Sequence, residues 1–291
     1  MLRRKPLIAM PYALFSRATT SYMPAIEARD DYLLVFEERV EPGRSKFTFN
    51  NGKTFIMANE FAAKGGFAKV YHAFDLAKST EPVSCVKVAR DEESHPDLFH
   101  ERSMLTMMGR NATLFNMDGN LALLTDWQSG NPLHKISKSE MIRLPLHARL
   151  QCLYSLLLQL KKLHDFGYCH KDLHSANIIA DLVKYTMSMI DFGETGEMTS
   201  SLNAASDVIC IGGHLKFIIF PDICNVEEAA RGEYNDNHVV NGINEIITKM
   251  LRPIINNYSL DIALADCKLL LDAACQYEKE KNDTKTYHRM T

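Results

Sequence analysis

An ordered set of polar residues in the second half of the chain constrains its fold more than any other feature. The set begins with the run His170-Lys171-Asp172-Leu173-His174-Ser175-Ala176-Asn177, and Asp191-Phe192-Gly193 follows fourteen residues after Asn177. Asp172 and Asp191 supply carboxylates, and Asn177 supplies an amide oxygen. Such groups can take a proton from an attacking hydroxyl and hold the Mg²⁺ that bridges phosphates. The set therefore indicates phosphoryl-transfer chemistry, and the alternative is a group of Asp and Asn residues that only form turns.

A glycine-containing segment lies between two predicted strands in the first half and reads Ala63-Lys64-Gly65-Gly66-Phe67-Ala68-Lys69-Val70. Glycine allows the backbone to approach a phosphate closely and to offer its N–H groups. The segment predicts a phosphate-binding loop, with a plain β-turn as the alternative.

Two charged residues stand among apolar neighbours. Lys87 lies on the apolar strand Val83–Val88, where either a phosphate partner or snorkelling at the strand edge would account for it. Glu101 shares a predicted helical face with Leu98 and Leu105. A carboxylate on such a face needs a cation, unless it lies at the exposed edge of the stripe.

Hydrophobic periodicity divides the chain into a sheet part and a helical part, so the predicted fold class is α+β. The Asn51-Gly52 turn predicts a hairpin, and the turn at Gly130-Asn131-Pro132 marks the boundary between the parts. The predicted elements are the hairpin Ser45–Met57, the strands Phe67–Phe74, Val83–Val88 and Leu121–Trp127, a helix opening at His95-Pro96, a leucine-rich helix from Leu146 that stops at Gly167, and a helix Val208–Phe220 buried on nearly every face.

The predicted domain organisation has four parts. Residues 1–45 form an N-terminal extension, 46–129 the sheet part, 130–277 the helical part and 278–291 a charged tail. The start of the extension is basic and rich in Ser and Thr, which fits either a flexible tail or a targeting segment.

Composition limits the cellular compartments and the classes of binding partner that fit this chain. The formal net charge of −3 gives no basic field that would draw nucleic acid. No apolar run has the length of a transmembrane helix. The seven cysteines form no CxxC pair, which favours a reducing, cytoplasmic compartment.

Together, the ordered motifs resemble the signature of the eukaryotic-type protein kinase family, which comprises a Gly-rich loop, a lysine in V-A-I-K, H-R-D-L-x-x-x-N and D-F-G. The resemblance runs from about Phe55 to Phe220. It implies a two-lobed fold, with a small antiparallel-sheet lobe carrying one helix and a larger, mainly helical lobe. It also implies ATP and Mg²⁺ as cofactors, with Mn²⁺ as an alternative metal, and transfer of the γ-phosphoryl group to Ser or Thr of a protein substrate.

The resemblance implies catalytic roles for residues that match its motifs. Asp172 would accept the proton of the substrate hydroxyl, with Lys171 in the place of the H-R-D arginine. Lys87 would hold the α- and β-phosphates and pair with Glu101. Metal ligands would be Asn177 and Asp191.

The resemblance also implies a nucleotide site and a brace for the catalytic loop. The nucleotide-binding residues would be Ala63, Lys64, Gly65, Gly66, Phe67, Ala68, Val70 and Lys87, together with the adenine-binding hinge Thr125-Asp126-Trp127 and its gatekeeper Thr125. Asp207 resembles the aspartate that braces the catalytic loop.

Several features depart from the family pattern. Ala63 and Ala68 replace two glycines, and His174 stands where Ser/Thr kinases usually carry lysine. Only thirteen residues, 194–206, separate Gly193 from Asp207, and no A-P-E motif follows. Truncated kinase effectors that pathogenic bacteria inject into host cells are similar in this respect, so export into a host cell is an alternative location.

Three functional alternatives follow from these departures. The first is a protein kinase, which either needs an activating partner protein or is constitutively active. The second is a small-molecule kinase of the aminoglycoside- or choline-kinase type, which His174 and the missing A-P-E suggest. The third is a nucleotide-binding scaffold without activity.

Overall fold

Alternating apolar residues build a curled sheet in the first part of the chain. The computed structural model describes residues 33–75, 82–219 and 237–290. The strands of the curled sheet are β1 Leu33–Glu41, β2 Arg44–Phe49, β3 Thr54–Lys64, β4 Ala68–Phe74, β5 Ser84–Ala89, β6 Ala112–Met117 and β7 Asn120–Asp126. Their spatial order, β1-β2-β3-β4-β5-β7-β6, closes into a barrel. Neighbouring strands are antiparallel, except that β1 and β6 close the barrel as a parallel pair.

Aromatic side chains fill the barrel. Phe49 and Phe55 each lie edge-on or tilted against Phe115, with ring centroids 5.4 and 5.8 Å from it. The buried residues of this core are Phe47, Phe49, Phe55, Met57, Ala73, Val86, Val88, Phe115 and Ala122. The predicted hairpin is confirmed, since β2 and β3 are antiparallel around Gly52, which has a positive φ of 84°.

The strand register separates a second face of the sheet from this core. Lys87 is directly opposite Val70 on β4 and Leu123 on β7. Directly opposed residues point to the same face, and successive residues point to opposite faces. Because Val86 belongs to the barrel core, Lys87 and its neighbours lie on the outer face, and Thr125, two residues along β7 from Leu123, lies there too.

Helices and short strands make up the rest of the described chain. The helices are α1 His95–Met107, α2 Lys138–Arg143, α3 Leu146–Asp165, α4 Ser201–Ile219, α5 Asn237–Leu251 and α6 Leu260–Met290. The short strands are β8 Asn131–Pro132, β9 Tyr168–Cys169, β10 Ile178–Asp181, β11 Thr186–Met189 and β12 Gly196–Glu197. Helix α3 is central because its leucine stripe is fully buried against α6, β11 and α4. The chain is therefore a mixed α+β protein with a curled antiparallel sheet and several helices.

Three sequence expectations need correction or extension. The predicted extension 1–45 ends inside the barrel, because Leu33–Glu41 is strand β1; residues 1–32 lie outside the described residues. The predicted tail 278–291 continues α6 as far as Met290. The helix expected over Val208–Phe220 is α4, but it is not buried on nearly every face, since Ile209 is 41% exposed.

Helix α4 is, within the described residues, the one helix long and apolar enough to cross a membrane. It packs against α3 and α5, and Ile211, Leu215 and Ile218 are fully buried. A core helix of a globular domain satisfies the same test of length and composition, so the match is weak evidence for a membrane span.

Asp181 at the end of β10 fixes the turn to β11 and the neighbouring loop. Its carboxylate accepts hydrogen bonds from the Ser129 hydroxyl at 2.6 Å and from the backbone N–H groups of Val183 and Lys184 at 3.1 and 3.0 Å. Burial raises the pKa of Asp181, but these bonds and the Lys184 ammonium outweigh it and lower the pKa to about 2. The folded pKa thus lies below the unfolded value of about 3.9. The carboxylate therefore stabilises the fold above that value, and the contribution is lost as the pH falls towards 2.

We expect Asp181→Asn to lower the free energy of unfolding by about 2 kcal/mol at neutral pH. The difference from wild type should shrink once the pH falls below about 4, because Asp181 then begins to be protonated in the unfolded chain while it stays charged in the folded protein. Urea unfolding at neutral pH and near pH 3 measures both values. Asp272→Asn, at an exposed carboxylate on α6, is the control and should change little. An equal loss at both pH values would contradict this account.

Candidate functional site

Lys87 joins three segments that are far apart in the sequence. Its ammonium lies 2.5 Å from Glu101 Oε1 on α1 and 3.3 Å from Asp191 Oδ1, which follows β11. The side chains of Lys87 and Glu101 are 11% and 2% exposed. The ion pair predicted for Lys87 and Glu101 is therefore present, and Glu101 lies inside the apolar face of α1 rather than at its edge.

The electrostatics of this group favour the charged lysine. Burial lowers the pKa of Lys87, but the carboxylates of Glu101 and Asp191 outweigh it, so the net pKa is raised. Burial raises the pKa of Glu101, and the Lys87 ammonium opposes that shift. Two acids around one buried ammonium hold it protonated, and the ammonium offers the site a fixed positive charge.

Asp172 and Asn177 form a second group on the loop between β9 and β10. The Asn177 side-chain amide donates to Asp172 Oδ2 at 3.0 Å and to the Asp172 carbonyl at 2.9 Å. His174 Nε2 lies 3.5 Å from the same Oδ2 atom. With Oδ2 occupied in this way, Oδ1 of Asp172 is the carboxylate oxygen best placed to accept a proton from an incoming group.

The side chain of Asp207 on α4 fixes the conformation of this loop. Asp207 is 1% exposed and accepts the backbone N–H groups of His170 and Lys171 at 2.8 and 3.0 Å. The ring of His164 on α3 contacts Asp207 Oδ2 at 2.9 Å. Both carboxylate oxygens of Asp207 thus hold backbone amides, which is the bracing arrangement that the resemblance implies for this residue.

Two residues of the site adopt left-handed backbone conformations that are unusual outside glycine. Lys171 has a φ of 66° and Asp191 has a φ of 64°. Such conformations cost free energy and persist only where the surroundings enforce them. Asp207 holds the Lys171 amide, and Lys87 holds the Asp191 carboxylate.

The glycine-containing segment forms a tight turn between β3 and β4. Gly65 N–H donates to the Ala68 carbonyl at 2.9 Å, and the Arg90 guanidinium donates to the Gly66 carbonyl at 2.9 Å. At the tip, the Phe67 ring lies against Gly193, where a Cβ would stand 2.5 Å from Phe67 Cζ. The turn therefore reaches the Asp191-Phe192-Gly193 segment, and a side chain at residue 193 would displace the Phe67 ring.

Two of the other predicted nucleotide-binding residues, Val70 and Thr125, share the outer face of the barrel with Lys87. Val70 pairs with Ala63 on one side and with Lys87 on the other, and Lys64 is the last residue of β3. At the end of β7, the Thr125 hydroxyl donates to the Asn111 carbonyl at 2.7 Å.

The rest of the predicted hinge is also held by its neighbours. The Asp126 carboxylate accepts two hydrogen bonds from Asn111, at 2.9 and 3.0 Å. The Trp127 ring lies edge-on to His72, with centroids 4.6 Å apart. The polar side chains of Thr125 and Asp126 are thus engaged with Asn111, and the Trp127 N–H donates to the Val83 carbonyl at 3.1 Å.

Oxygen atoms are available for a hard divalent cation. The Asn177 side-chain nitrogen faces Asp172, so the amide oxygen is its remaining polar atom, and Asp191 keeps 30% of its side chain exposed. An amide oxygen and a carboxylate are the ligand types that Mg²⁺ takes alongside phosphate oxygens and water. Within the described residues, no cluster of three or more His, Cys, Asp or Glu side chains forms a protein-only metal site. Ligands of these types would suit a metal held jointly with phosphates.

Sequence reasoning missed several side chains that shape the site. Arg90 holds the glycine turn, His164 contacts Asp207, and His100 on α1 contacts the Thr195 carbonyl at 2.6 Å. Arg110 contacts the strand before Asp191. No motif marks these residues, although each is a charged or imidazole side chain next to a predicted element boundary or apolar stripe.

Two comparisons with known proteins were made. A scan against models of protein families finds no match, and a search of curated proteins also finds none. The functional conclusion therefore depends on the residues and their geometry.

Proposed function

We propose that this chain is an ATP- and Mg²⁺-dependent kinase that transfers the γ-phosphoryl group to a protein hydroxyl, most directly that of Ser or Thr. The observation that carries the proposal is the position of Lys87, whose ammonium contacts Glu101 and Asp191 at once. A positive charge beside a potential metal ligand is what the triphosphate of a nucleotide requires. The second group, Asp172 with Asn177, adds the proton acceptor.

Each residue has a defined task in the proposed reaction. Asp172 Oδ1 accepts the proton of the substrate hydroxyl while the hydroxyl oxygen attacks the γ-phosphorus, the bond to the β,γ-bridging oxygen breaks and ADP leaves, and Asn177 keeps the carboxylate oriented. Lys87 offsets the charge of the phosphates, and Glu101 holds Lys87 in place. Asn177 and Asp191 would hold Mg²⁺, which neutralises charge on the phosphate oxygens when bound. The turn at Gly65-Gly66 would cover the phosphates.

We further infer that the fold is two-lobed in the manner of protein kinases. The barrel and α1 would form the small lobe, and the helices from α2 onward would form the large lobe. The support is the distribution of the site residues, since Lys87 and Glu101 belong to the barrel and α1, whereas Asp172, Asn177 and Asp191 belong to loops of the helical part.

A small-molecule kinase is the second candidate, and one observation favours it. Helix α4 begins at Ser201, only eight residues after Gly193, and two of the intervening residues form β12. Such a short connection leaves little backbone on which a peptide substrate could dock. A small acceptor such as an amino alcohol or an aminoglycoside would not need that platform.

Incubation with ATP labelled on the γ-phosphoryl group separates the candidates. Parallel reactions contain Mg²⁺ and either a protein extract, choline, a sugar mixture or an aminoglycoside, and mass spectrometry locates the label. We expect label on Ser or Thr of protein. Label on a small acceptor alone would support the second candidate, and the absence of transfer to every acceptor would overturn both.

His174 should contribute to the rate without contributing to stability. Its Nδ1 accepts the Ala176 N–H at 3.1 Å, so the neutral ring carries its proton on Nε2, which faces Asp172. We expect His174→Ala to lower the initial rate of transfer by about tenfold, less than the loss of an oxyanion-hole donor, because its contact with Asp172 is 3.5 Å long. The unfolding midpoint should not change, because the side chain is 55% exposed. An unaltered rate would remove His174 from the site.

A further inference from the structure

Helix α1 is tied to the helical part of the chain at points other than Glu101. In its second turn, His100 Nε2 lies 2.6 Å from the Thr195 carbonyl. At its end, the Lys162 ammonium on α3 donates to the Met108 carbonyl at 2.7 Å. Immediately beyond that end, Arg110 reaches the strand that leads to Asp191. All of these contacts join α1, or the residues just after it, to other residues of the same chain.

Arg110 makes the most extensive of these contacts. Its guanidinium donates to the Met189 carbonyl and to the Gln159 side-chain oxygen, both at 2.8 Å. The guanidinium carbon also lies 5.5 Å from the centroid of the Phe192 ring. One side chain thus touches the residue two places before Asp191 and the residue after it.

The backbone of Arg110 connects this grip to the helix that carries Glu101. Its N–H donates to the Leu105 carbonyl at 2.9 Å, in the last turn of α1. Gln159, the second acceptor, also accepts the Met189 N–H at 3.2 Å and donates to the Met187 carbonyl at 2.6 Å. Helix α1, strand β11 and helix α3 therefore meet at a single guanidinium.

The chemistry of this contact needs arginine. A planar guanidinium can donate to two acceptors and lie over an aromatic ring at the same time, whereas an ammonium is a point charge. Hydrogen bonds from a charged donor to a carbonyl are stronger than neutral ones. Burial lowers the pKa of Arg110, but arginine stays protonated in proteins, so the grip does not depend on pH.

We propose that Arg110 is a positioning residue that sets Glu101 and Asp191 relative to each other, so that the site assembles without loop phosphorylation or an activating partner. This inference rests on the proposed kinase function. The short loop after Gly193 agrees with it. Thr195 is buried, and its carbonyl is already engaged with His100. A phosphate on the Thr195 hydroxyl would require this segment to open.

The test compares Arg110→Lys with Arg102→Lys, a control at an exposed arginine on α1. Arg110 contacts Met189 and Phe192, which lie on either side of Asp191, a proposed metal ligand. Arg110→Lys should therefore raise the Mg²⁺ concentration that gives half-maximal activity by about tenfold and lower kcat by about tenfold. Effects of this size are common when a residue that supports a metal ligand is changed. The control should match wild type.

Unfolding midpoints check that each variant is folded. Arg110→Gln, which keeps a hydrogen-bond donor, is the second variant. Wild-type kcat and Mg²⁺ dependence in both Arg110 variants would overturn the proposal.

A second arm tests independence from phosphorylation. Thr195, Thr199, Ser200 and Ser201 are replaced together by alanine, and both this variant and wild type are treated with phosphatase. We expect activities within about tenfold of untreated wild type, a range that local disturbance of about 1.4 kcal/mol covers. A loss of about a hundredfold or more would show that the loop is a phosphorylation switch and would overturn the proposal.

The outcome can be separated from failure of the proposed function. If wild type transfers no phosphoryl group to any acceptor, the kinase proposal fails. Amide hydrogen exchange of wild type, Arg110→Lys and Arg102→Lys then tests, independently of activity, whether Arg110 holds α1 and β11 together. Faster exchange in α1 and β11 for Arg110→Lys supports the grip, and unchanged exchange overturns it.

Discussion

Replacing Asp172 with alanine is expected to lower phosphoryl transfer by about a thousandfold, within the range that general-base catalysis supplies. Binding of ATP with Mg²⁺ should stay close to wild type, because Asp172 faces Asn177 and His174 and has no contact with Lys87 or Asp191 among the described hydrogen bonds and ion pairs. Initial rates with labelled ATP and calorimetric titration of nucleotide measure the two quantities.

The matched control is Asp272→Ala, at an exposed carboxylate paired with Lys268 on α6. A surface pair of this kind contributes little to stability, so both measured quantities should be unchanged. Wild-type turnover in Asp172→Ala would show that the proton acceptor has been assigned to the wrong residue.

Replacing Lys87 with methionine should affect both stability and activity. The change leaves Glu101 buried without the cation that neutralises it. Removing one partner of a buried ion pair typically costs about 3 to 5 kcal/mol, and we expect a loss of about 3 kcal/mol in the free energy of unfolding at neutral pH. The KM for ATP should rise and kcat should fall by about a hundredfold, since a fixed charge at the phosphates is lost.

Two further measurements identify the cause of the lost stability. Because burial raises the pKa of Glu101, protonation removes the uncompensated charge first in the folded state, and the loss in Lys87→Met should shrink as the pH falls. The double variant Lys87→Met/Glu101→Gln should recover most of the stability but none of the activity. Lys268→Met, at an exposed lysine on α6, is the control. A loss that is independent of pH and persists in the double variant would contradict the ion-pair account.

Local sequence signals predicted most of the individual elements. The Asn51-Gly52 turn and the leucine stripe of α3 can each be recognised from residues that lie close together in the sequence. Strand β1 was not predicted, because its second half, Glu37–Glu41, is exposed and charged and shows no apolar alternation. It is a strand because its backbone pairs with β2 and β6, and such pairing leaves no mark in its own sequence.

The candidate site was predictable where chemistry requires particular residue types. Glu101 illustrates this, since its place on an apolar helical face demanded a cation, and Lys87 supplies one. Arg110 illustrates the limit, because its acceptors Met189 and Gln159 lie 79 and 49 residues away along the chain. An arginine at the end of a helix can equally well be exposed to solvent. Only the tertiary structure shows that Arg110 instead contacts β11 and α3.

The central claim is tested most directly by the initial rate at which label moves from the γ-phosphoryl group of ATP to a hydroxyl, measured in parallel for wild type and Asp172→Ala with and without Mg²⁺. The account predicts Mg²⁺-dependent transfer by wild type and a rate near background for the variant. Equal rates for the two proteins, or no transfer by wild type to any protein or small-molecule hydroxyl, would contradict it.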